Sequence, residues 1–153
     1  NASRLGIHNI EPHIMDAGVF NEKLVEKFDR VLVDAPCSGL GIIRKKPEIK
    51  WFKSMEEIKG LYPIQESILK NASGYLVNGG ALVYATCTLN VKENEYRVRN
   101  FLKENRDFYI DRLFFGKRDN FLYSEEGMLT ILPDKDMDGF FIARLIKGLK
   151  NEA

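Results

Sequence analysis

The sequence predicts an α/β domain with a mostly parallel sheet and a strand-rich C-terminal part, and three observations carry that expectation. Arg30-Val31-Leu32-Val33-Asp34 is a continuous branched apolar run ending on a carboxylate, the pattern of a parallel strand buried on both faces. Ala81-Leu82-Val83-Tyr84-Ala85 gives a second buried strand, after a segment whose apolar residues recur at helical spacing. Short apolar stretches joined by turns fill the tail. Strand, helix, strand, helix and then further strands is the order of an α/β fold.

A chain of 153 residues suits one folding unit with a real core, so residues 1–153 are read as a single domain. An apolar fraction of 44% and a charged fraction of 29% exclude a disordered chain. No stretch approaches the roughly 18 uninterrupted apolar residues of a membrane span, and the N-terminus lacks a secretory pattern. The expected location is therefore the cytoplasm, with no membrane partner. Two cysteines and two histidines are too few for the usual structural zinc site or a disulfide scaffold, which predicts reduced thiols and no metal. A net charge of +1 gives no global attraction to nucleic acid, so any such contact must come from a local patch or a missing part.

The elements follow in order. Residues His13 to Ala17 read as a weak strand ending at Asp16, and Phe20, Leu24, Val25 and Phe28 as a short helix. After the strand at 30–34, residues Ala35 to Gly60 carry Pro36, Gly39, Gly41 and Pro47 and read as a long functional loop with some helix. Pro63 suits a first helical turn, and Ile64, Ile68, Leu69, Ala72 and Leu76 form one face until Asn78-Gly79-Gly80 stops the helix. Beyond the second strand, Asn90 and Glu93 have the spacing of a capping box for a helix carrying Val98, Phe101 and Leu102 and ending near Asn105. Tyr109 to Leu113, Met128 to Leu132 and Phe140 to Ile146 read as short strands.

Ligands of open parallel sheets bind beyond the carboxyl ends of the strands, which predicts that Asp16, Asp34 and Cys87 share one crevice. The strands ending at Asp34 and Ala85 are joined by a helix, so they should be crossover neighbours about 4.8 Å apart. Cys37 and Cys87, each just past its strand, then face one small space. Gly39-Leu40-Gly41 is no dinucleotide loop, since Arg44 occupies the place of the third glycine.

At these residues the chain resembles the bacterial ribosomal-RNA cytosine-5 methyltransferases of the Sun or Fmu type, related to the eukaryotic nucleolar and NSUN enzymes. The matching segments run almost end to end: Arg4-Leu5-Gly6, Phe28-Asp29-Arg30, Asp34-Ala35-Pro36-Cys37-Ser38-Gly39, Arg44-Lys45-Lys46-Pro47, Ile49-Lys50-Trp51, Gln65, Gly79-Gly80, Tyr84-Ala85-Thr86-Cys87, Glu93-Asn94-Glu95 and Asp138-Gly139-Phe140-Phe141. The departure is modest: Thr88 stands where a serine is commoner. The resemblance implies an incomplete Rossmann-like S-adenosylmethionine-dependent methyltransferase fold acting on RNA, small-subunit ribosomal RNA above all. Cytosine C5 is a poor nucleophile until something adds to C6, and a thiolate does so. The resemblance assigns that attack to Cys87 and product release to Cys37. It gives Asp16, Asp34 and Pro36 to the S-adenosylmethionine side, with Asp34 also able to accept from the cytosine amine. Pro36 also helps hold the base.

Arg44, Lys45, Lys46, Lys50 and Lys53 against Glu48 make a local net charge of +4 with Trp51 and Phe52 interleaved. With the resemblance, Arg44, Lys45, Lys50 and Trp51 are candidates to clamp RNA phosphates and stack a base. The bland alternative is a solvated basic loop anchored in the core by Trp51. Buried packing or a disulfide remains the alternative for the cysteines, and a helix cap or strand-end turn for Asp16 and Asp34. A non-catalytic RNA-binding module is the alternative function. A thiol hydrolase is disfavoured, because neither His8 nor His13 sits in a nucleophile-base motif.

The family's Ala-Pro-Gly-Gly-Lys donor loop and its first strands do not occur in this sequence, so half the donor site is expected to be missing and the chain alone inactive. Asn1-Ala2 reads as a tag remnant, and Ser3 onward as the middle of a longer chain. Residues before about Gly18 are expected to be displaced, poorly ordered or paired with another chain, because an unpaired buried edge is costly.

Overall fold

A computed structural model describes residues 1–148. Residues 7–16 carry no regular secondary structure and are exposed, with Ile10 and Ile14 facing solvent. The strand expected over His13 to Ala17 does not form. No described strand pairs with this segment, and an extended backbone without a ladder gains no hydrogen bonds. The helix expected around Phe20 to Phe28 is a single 3-10 turn, Glu22–Leu24, capped by Asn21 accepting from the Lys23 N–H at 3.1 Å. Val25, at a ψ of 127°, leaves helical geometry and ends it, and Glu26 follows at a φ of 51°.

Strand β1 spans Phe28–Asp34 and β2 spans Leu76–Thr86, and the two pair in parallel with Asp34 opposite Ala85. Burial on both faces of β1 is not what the structure shows: Val33 is buried, but Leu32 is 70% exposed. The reason is position, since β1 is the edge of the sheet and, among the described residues, only β2 flanks it. Strand β2 begins earlier than the sequence suggests and contains Asn78-Gly79-Gly80. The register jumps from Phe28 opposite Leu76 to Arg30 opposite Ala81, and Gly79 takes a φ of 79° within that irregularity.

Between the two strands lie a 3-10 turn at Leu40–Ile42, a short helix α1 at Ile49–Phe52 and the long helix α2 at Met55–Gly74. Helix α2 therefore starts eight residues before Pro63. Its start is a reciprocal cap: the Glu57 N–H donates to Ser54 Oγ at 3.1 Å, and the Ser54 N–H donates to Glu57 Oε2 at 2.7 Å. Pro63 is carried inside the helix on an exposed face, where water can serve the carbonyl its ring leaves unpaired.

Helix α3, Glu95–Glu104, ends at Asn105 as its sequence indicates, but its start is not the expected box. Asn94 occupies the cap position without a side-chain bond to the helix, because its amide is engaged by Thr86 and Thr88 instead. Strands β3 (Phe108–Ile110), β4 (Phe121–Tyr123), β5 (Leu129–Ile131) and β6 (Phe140–Lys147) complete the order β1-β2-β6-β5-β4, with β3 also on β6. The mostly parallel sheet is thus corrected to a mixed one, parallel at β1–β2 and antiparallel at the other four pairings described. Among the described residues the β1–β2 connection, with α1 and α2, is the one helical crossover between paired parallel strands, and parallel pairing needs such a crossover.

Tyr84 and Leu82 of β2, Phe141 and Leu145 of β6, Leu69 of α2 and Val98 of α3 are fully buried together, which places the main core on the helical side of the sheet. Phe140 and Ile142 point the other way, into a smaller cluster with Leu113, Leu129 and Ile131. No described helix is long and apolar enough to cross a membrane.

Candidate active site

Parallel pairing brings the ends of β1 and β2 level, and the Ala35 N–H extends the ladder by donating to the Ala85 carbonyl at 3.0 Å. The two chains then turn toward each other. Cys37 and Cys87 are free thiols, both half-buried, with their Sγ atoms 3.2 Å apart. The juxtaposition expected from the sequence is therefore present. Burial, then the neighbouring Cys87 thiol, pushes the Cys37 thiol well above the ordinary range, against the opposing pull of backbone N–H groups from Gly39 and Cys87.

The loop after β1 is locked onto the loop after β2. The Gly41 N–H donates to the Cys87 carbonyl at 2.9 Å, and the Gly139 N–H donates to the Gly41 carbonyl at 2.8 Å. A Cβ on Gly41 would run into the Gly139 and Cys87 carbonyls, so glycine is required there. Asp138 reinforces the junction by accepting from Arg44 at 3.2 Å and Lys45 at 2.5 Å, while Arg44 also donates to the Asp134 carbonyl. These two pairs hold the Asp138 carboxyl below the usual carboxylate range, Lys45 being the leading cause.

The remaining predicted residues are spread around this junction. Asp34 and Pro36 line a largely apolar cavity of about 390 Å³ with Met15, Ala17, Val33, Ile68 and Tyr75. Asp16 does not join them: it lines a neighbouring open hollow, and its carboxylate accepts from the Gly18 N–H at 2.8 Å as a turn residue does. The single crevice expected for Asp16, Asp34 and Cys87 is thus divided, because that turn draws the Asp16 carboxylate back onto its own chain. Lys50 is exposed on α1, and Trp51 beside it is 81% exposed, so Trp51 anchors nothing in the core. Arg44 and Lys45 are tied to Asp138 yet keep half or more of their side-chain surface in solvent.

Sequence reasoning missed Glu93 as a site residue. Its fully buried carboxylate lies beneath both cysteine loops, accepting at Oε1 from the Ser38 N–H at 2.9 Å and Gln65 Nε2 at 3.0 Å. At Oε2 it accepts from Ser38 Oγ at 2.5 Å and Asn90 Nδ2 at 2.9 Å. Asn94 braces the same region, its Oδ1 accepting from Thr86 Oγ1 at 2.6 Å and its Nδ2 donating to the Thr88 carbonyl at 2.9 Å. The signal that could have found them is the Glu93-Asn94-Glu95 match, where polar residues sit at the mouth of two apolar strands.

A mixed α/β sheet that brings two thiols to the carboxyl ends of its parallel strand pair is consistent with an incomplete Rossmann-like methyltransferase fold, and two solved structures share that fold. PH0851 superposes with a TM-score of 0.86 at 34% identity over 95% of this chain and 33% of that one. NSun6 from Pyrococcus horikoshii with SFG gives a TM-score of 0.76 at 29% identity over 97% of this chain and 37% of that one. Residues 1–146 match the model of the 16S rRNA methyltransferase RsmB/F family, and the chain belongs to that family. A probable ribosomal RNA small subunit methyltransferase B from Bacillus subtilis strain 168 is 40% identical over 95% of this chain and 34% of its own length. A ribosomal RNA small subunit methyltransferase F from Escherichia coli O17:K52:H18 is 41% identical over 96% of this chain and 31% of its own. The chain thus spans about a third of the length of these curated relatives.

Proposed function

We propose that this chain is one partial catalytic domain of an S-adenosylmethionine-dependent ribosomal RNA methyltransferase that modifies cytosine at C5 through two cysteines, acting in the cytoplasm. The observation that carries the reading is the 3.2 Å approach of the Cys37 and Cys87 sulfurs beyond two adjacent parallel strands. The Thr86-Cys87 motif of the family resemblance gives the attack to Cys87, and the upward push that burial exerts on the Cys37 thiol agrees with that division of roles. Addition of that thiolate to C6 makes C5 nucleophilic. When bound, S-adenosylmethionine supplies an electrophilic methyl group to C5. Cys37 then assists loss of the C5 proton to water, the electrons of that C–H bond re-form the C5–C6 double bond, and Cys87 leaves as its thiolate.

The cavity beside β1 fits one side of an adenosyl group: its walls are apolar, and Asp34 brings a single carboxylate to its rim. SFG, an analogue of S-adenosylmethionine, accompanies the NSun6 relative, which supports that donor. Asp34 and Pro36 face the donor and the cytosine edge, whereas Asp16 would reach the adenine end only by giving up its bond to Gly18. Lys50 and Trp51 offer a charge and an exposed ring to single-stranded RNA, with Arg44 and Lys45 touching phosphates from their places on Asp138.

The test uses the full-length protein and unmodified ribosomal RNA. Cys87→Ala should abolish covalent RNA adducts, whereas Cys37→Ala should let them accumulate. Adducts that survive Cys87→Ala overturn the assignment. A wild-type protein that binds this RNA and never methylates it would favour a non-catalytic RNA-binding module.

A further inference from the structure

The two half-buried sulfurs, 3.2 Å apart, share a weak thiol hydrogen bond and no covalent bond, so the surrounding framework must set most of their spacing. Besides the direct bond from the Gly41 N–H to the Cys87 carbonyl, one buried side chain touches both loops, Glu93. Its carboxylate takes donors from Ser38, which follows Cys37, and from Asn90, three residues beyond Cys87. Ser38 Oγ also lies 2.7 Å from Thr88 Oγ1, on the residue immediately after Cys87. Gln65 of α2 joins the set, donating from the same Nε2 to Glu93 at 3.0 Å and to the Pro36 carbonyl at 2.9 Å. The Tyr84 hydroxyl fixes the backbone below by donating to the Glu93 carbonyl at 2.8 Å.

We infer that Glu93 is the positioning residue that sets the spacing of Cys37 and Cys87. The inference rests on the two-thiol reading and deepens it. A carboxylate offers about four acceptor sites, and five donors from three segments crowd them here, the longest being Thr88 Oγ1 at 3.5 Å. Glu93 makes no ion pair among the described residues, so what holds this buried charge is the donor set itself. None of the three nitrogen donors can reverse its role freely. The Ser38 donor is a backbone N–H, a flipped Gln65 would face the Pro36 carbonyl with an oxygen, and a flipped Asn90 would surrender the Lys92 N–H that its Oδ1 accepts at 3.1 Å. An uncharged isostere at position 93 therefore sets donor against donor and frees the two cysteine loops to separate.

The test reads the sulfur spacing directly, without donor or RNA. Equilibrating the chain with oxidised and reduced glutathione converts two thiols and one oxidised glutathione into a protein disulfide and two reduced glutathiones. The equilibrium constant measures the effective concentration of one thiol at the other. Glu93→Gln should lower it by about tenfold or more, and Glu93→Asp, which keeps the charge but withdraws it by one methylene, should lower it by less. Leu145→Ala, a core truncation on β6 distant in sequence from the network, controls for lost stability and should leave the constant within about twofold at a temperature where both are folded. Should Glu93→Gln fail to fold, Glu93→Asp carries the test against the same control. A constant unchanged in the Glu93 variants, or lowered as much by Leu145→Ala, overturns the inference. Neither result touches the assignment of Cys87 as nucleophile, which the adduct experiment decides separately.

Discussion

Cys37 differs from an ordinary surface thiol because burial is the leading reason its proton is held, with the Cys87 thiol second. Removing Cys87 therefore removes the smaller causes and keeps the largest. In a Cys87→Ala variant, the pH at which alkylation of Cys37 by iodoacetamide reaches half its limiting rate should stay above the ordinary thiol value of about 8.5. A midpoint at or below that value would show that Cys87, and not burial, holds the proton. The sequence made both cysteines visible, because each follows directly on a continuous apolar strand. It could not show Glu93 in its role, since the donors that define it come from residues 38, 65 and 90 and meet only after folding. It could not separate Asp16 from Asp34 either: the bond from Gly18 to Asp16 is local, yet nothing in the residue types says whether a carboxylate will turn back or look outward.

Among the elements, β1, β2 and the helix between them were legible because their apolar periodicities are long and uninterrupted. The boundaries were not. Pro63 reads as a start because proline favours first turns, but the reciprocal cap of Ser54 and Glu57 sets the start at Met55, before Pro63 is reached. Strand β4 escaped notice because Phe121-Leu122-Tyr123 is too short to show alternation. Its turn into β5 is joined to α3 by Arg99, which donates from Nε to Glu126 at 2.7 Å and from Nη2 at 3.2 Å. Arg99 is the leading cause holding the Glu126 carboxyl down at about 2. A carboxylate with a lowered folded-state pKa contributes stability that is complete above its unfolded value of about 4.5 and fades as the pH falls toward about 2. The side chains remain 47% and 37% exposed, so screening limits the effect to under about 1 kcal/mol. Arg99→Met should lower the urea midpoint near neutral pH, and the gap from wild type should shrink by about pH 3. A gap that persists unchanged there would mean that Arg99 acts through packing of its stem.

At the scale of the whole molecule, the sheet is finished at one side and open at the other. Helices α2 and α3 bury one face, and the β4–β5 hairpin ends the sheet with a short three-residue strand, the kind of edge that resists further pairing. Strand β1 shares the helical cover through Val33, but no short terminating strand closes its outer edge among the described residues. It is seven residues long, only β2 pairs with it, and Leu32 and Phe28 are 70% and 40% exposed along it. Ile10 and Ile14 add exposed apolar surface at 58% and 108% in the segment that leads into it. A net charge of +1 supplies little repulsion between copies. An edge that offers unpaired N–H and C=O groups beside apolar side chains recruits another strand. The chain by itself should therefore self-associate as its concentration rises, and Leu32→Lys should weaken that association by placing a charge where an incoming strand would lie. Sedimentation velocity across a concentration series measures both. A wild-type chain that stays monomeric throughout, or a Leu32→Lys variant that associates as strongly as wild type, would show that this edge is not the sticky one.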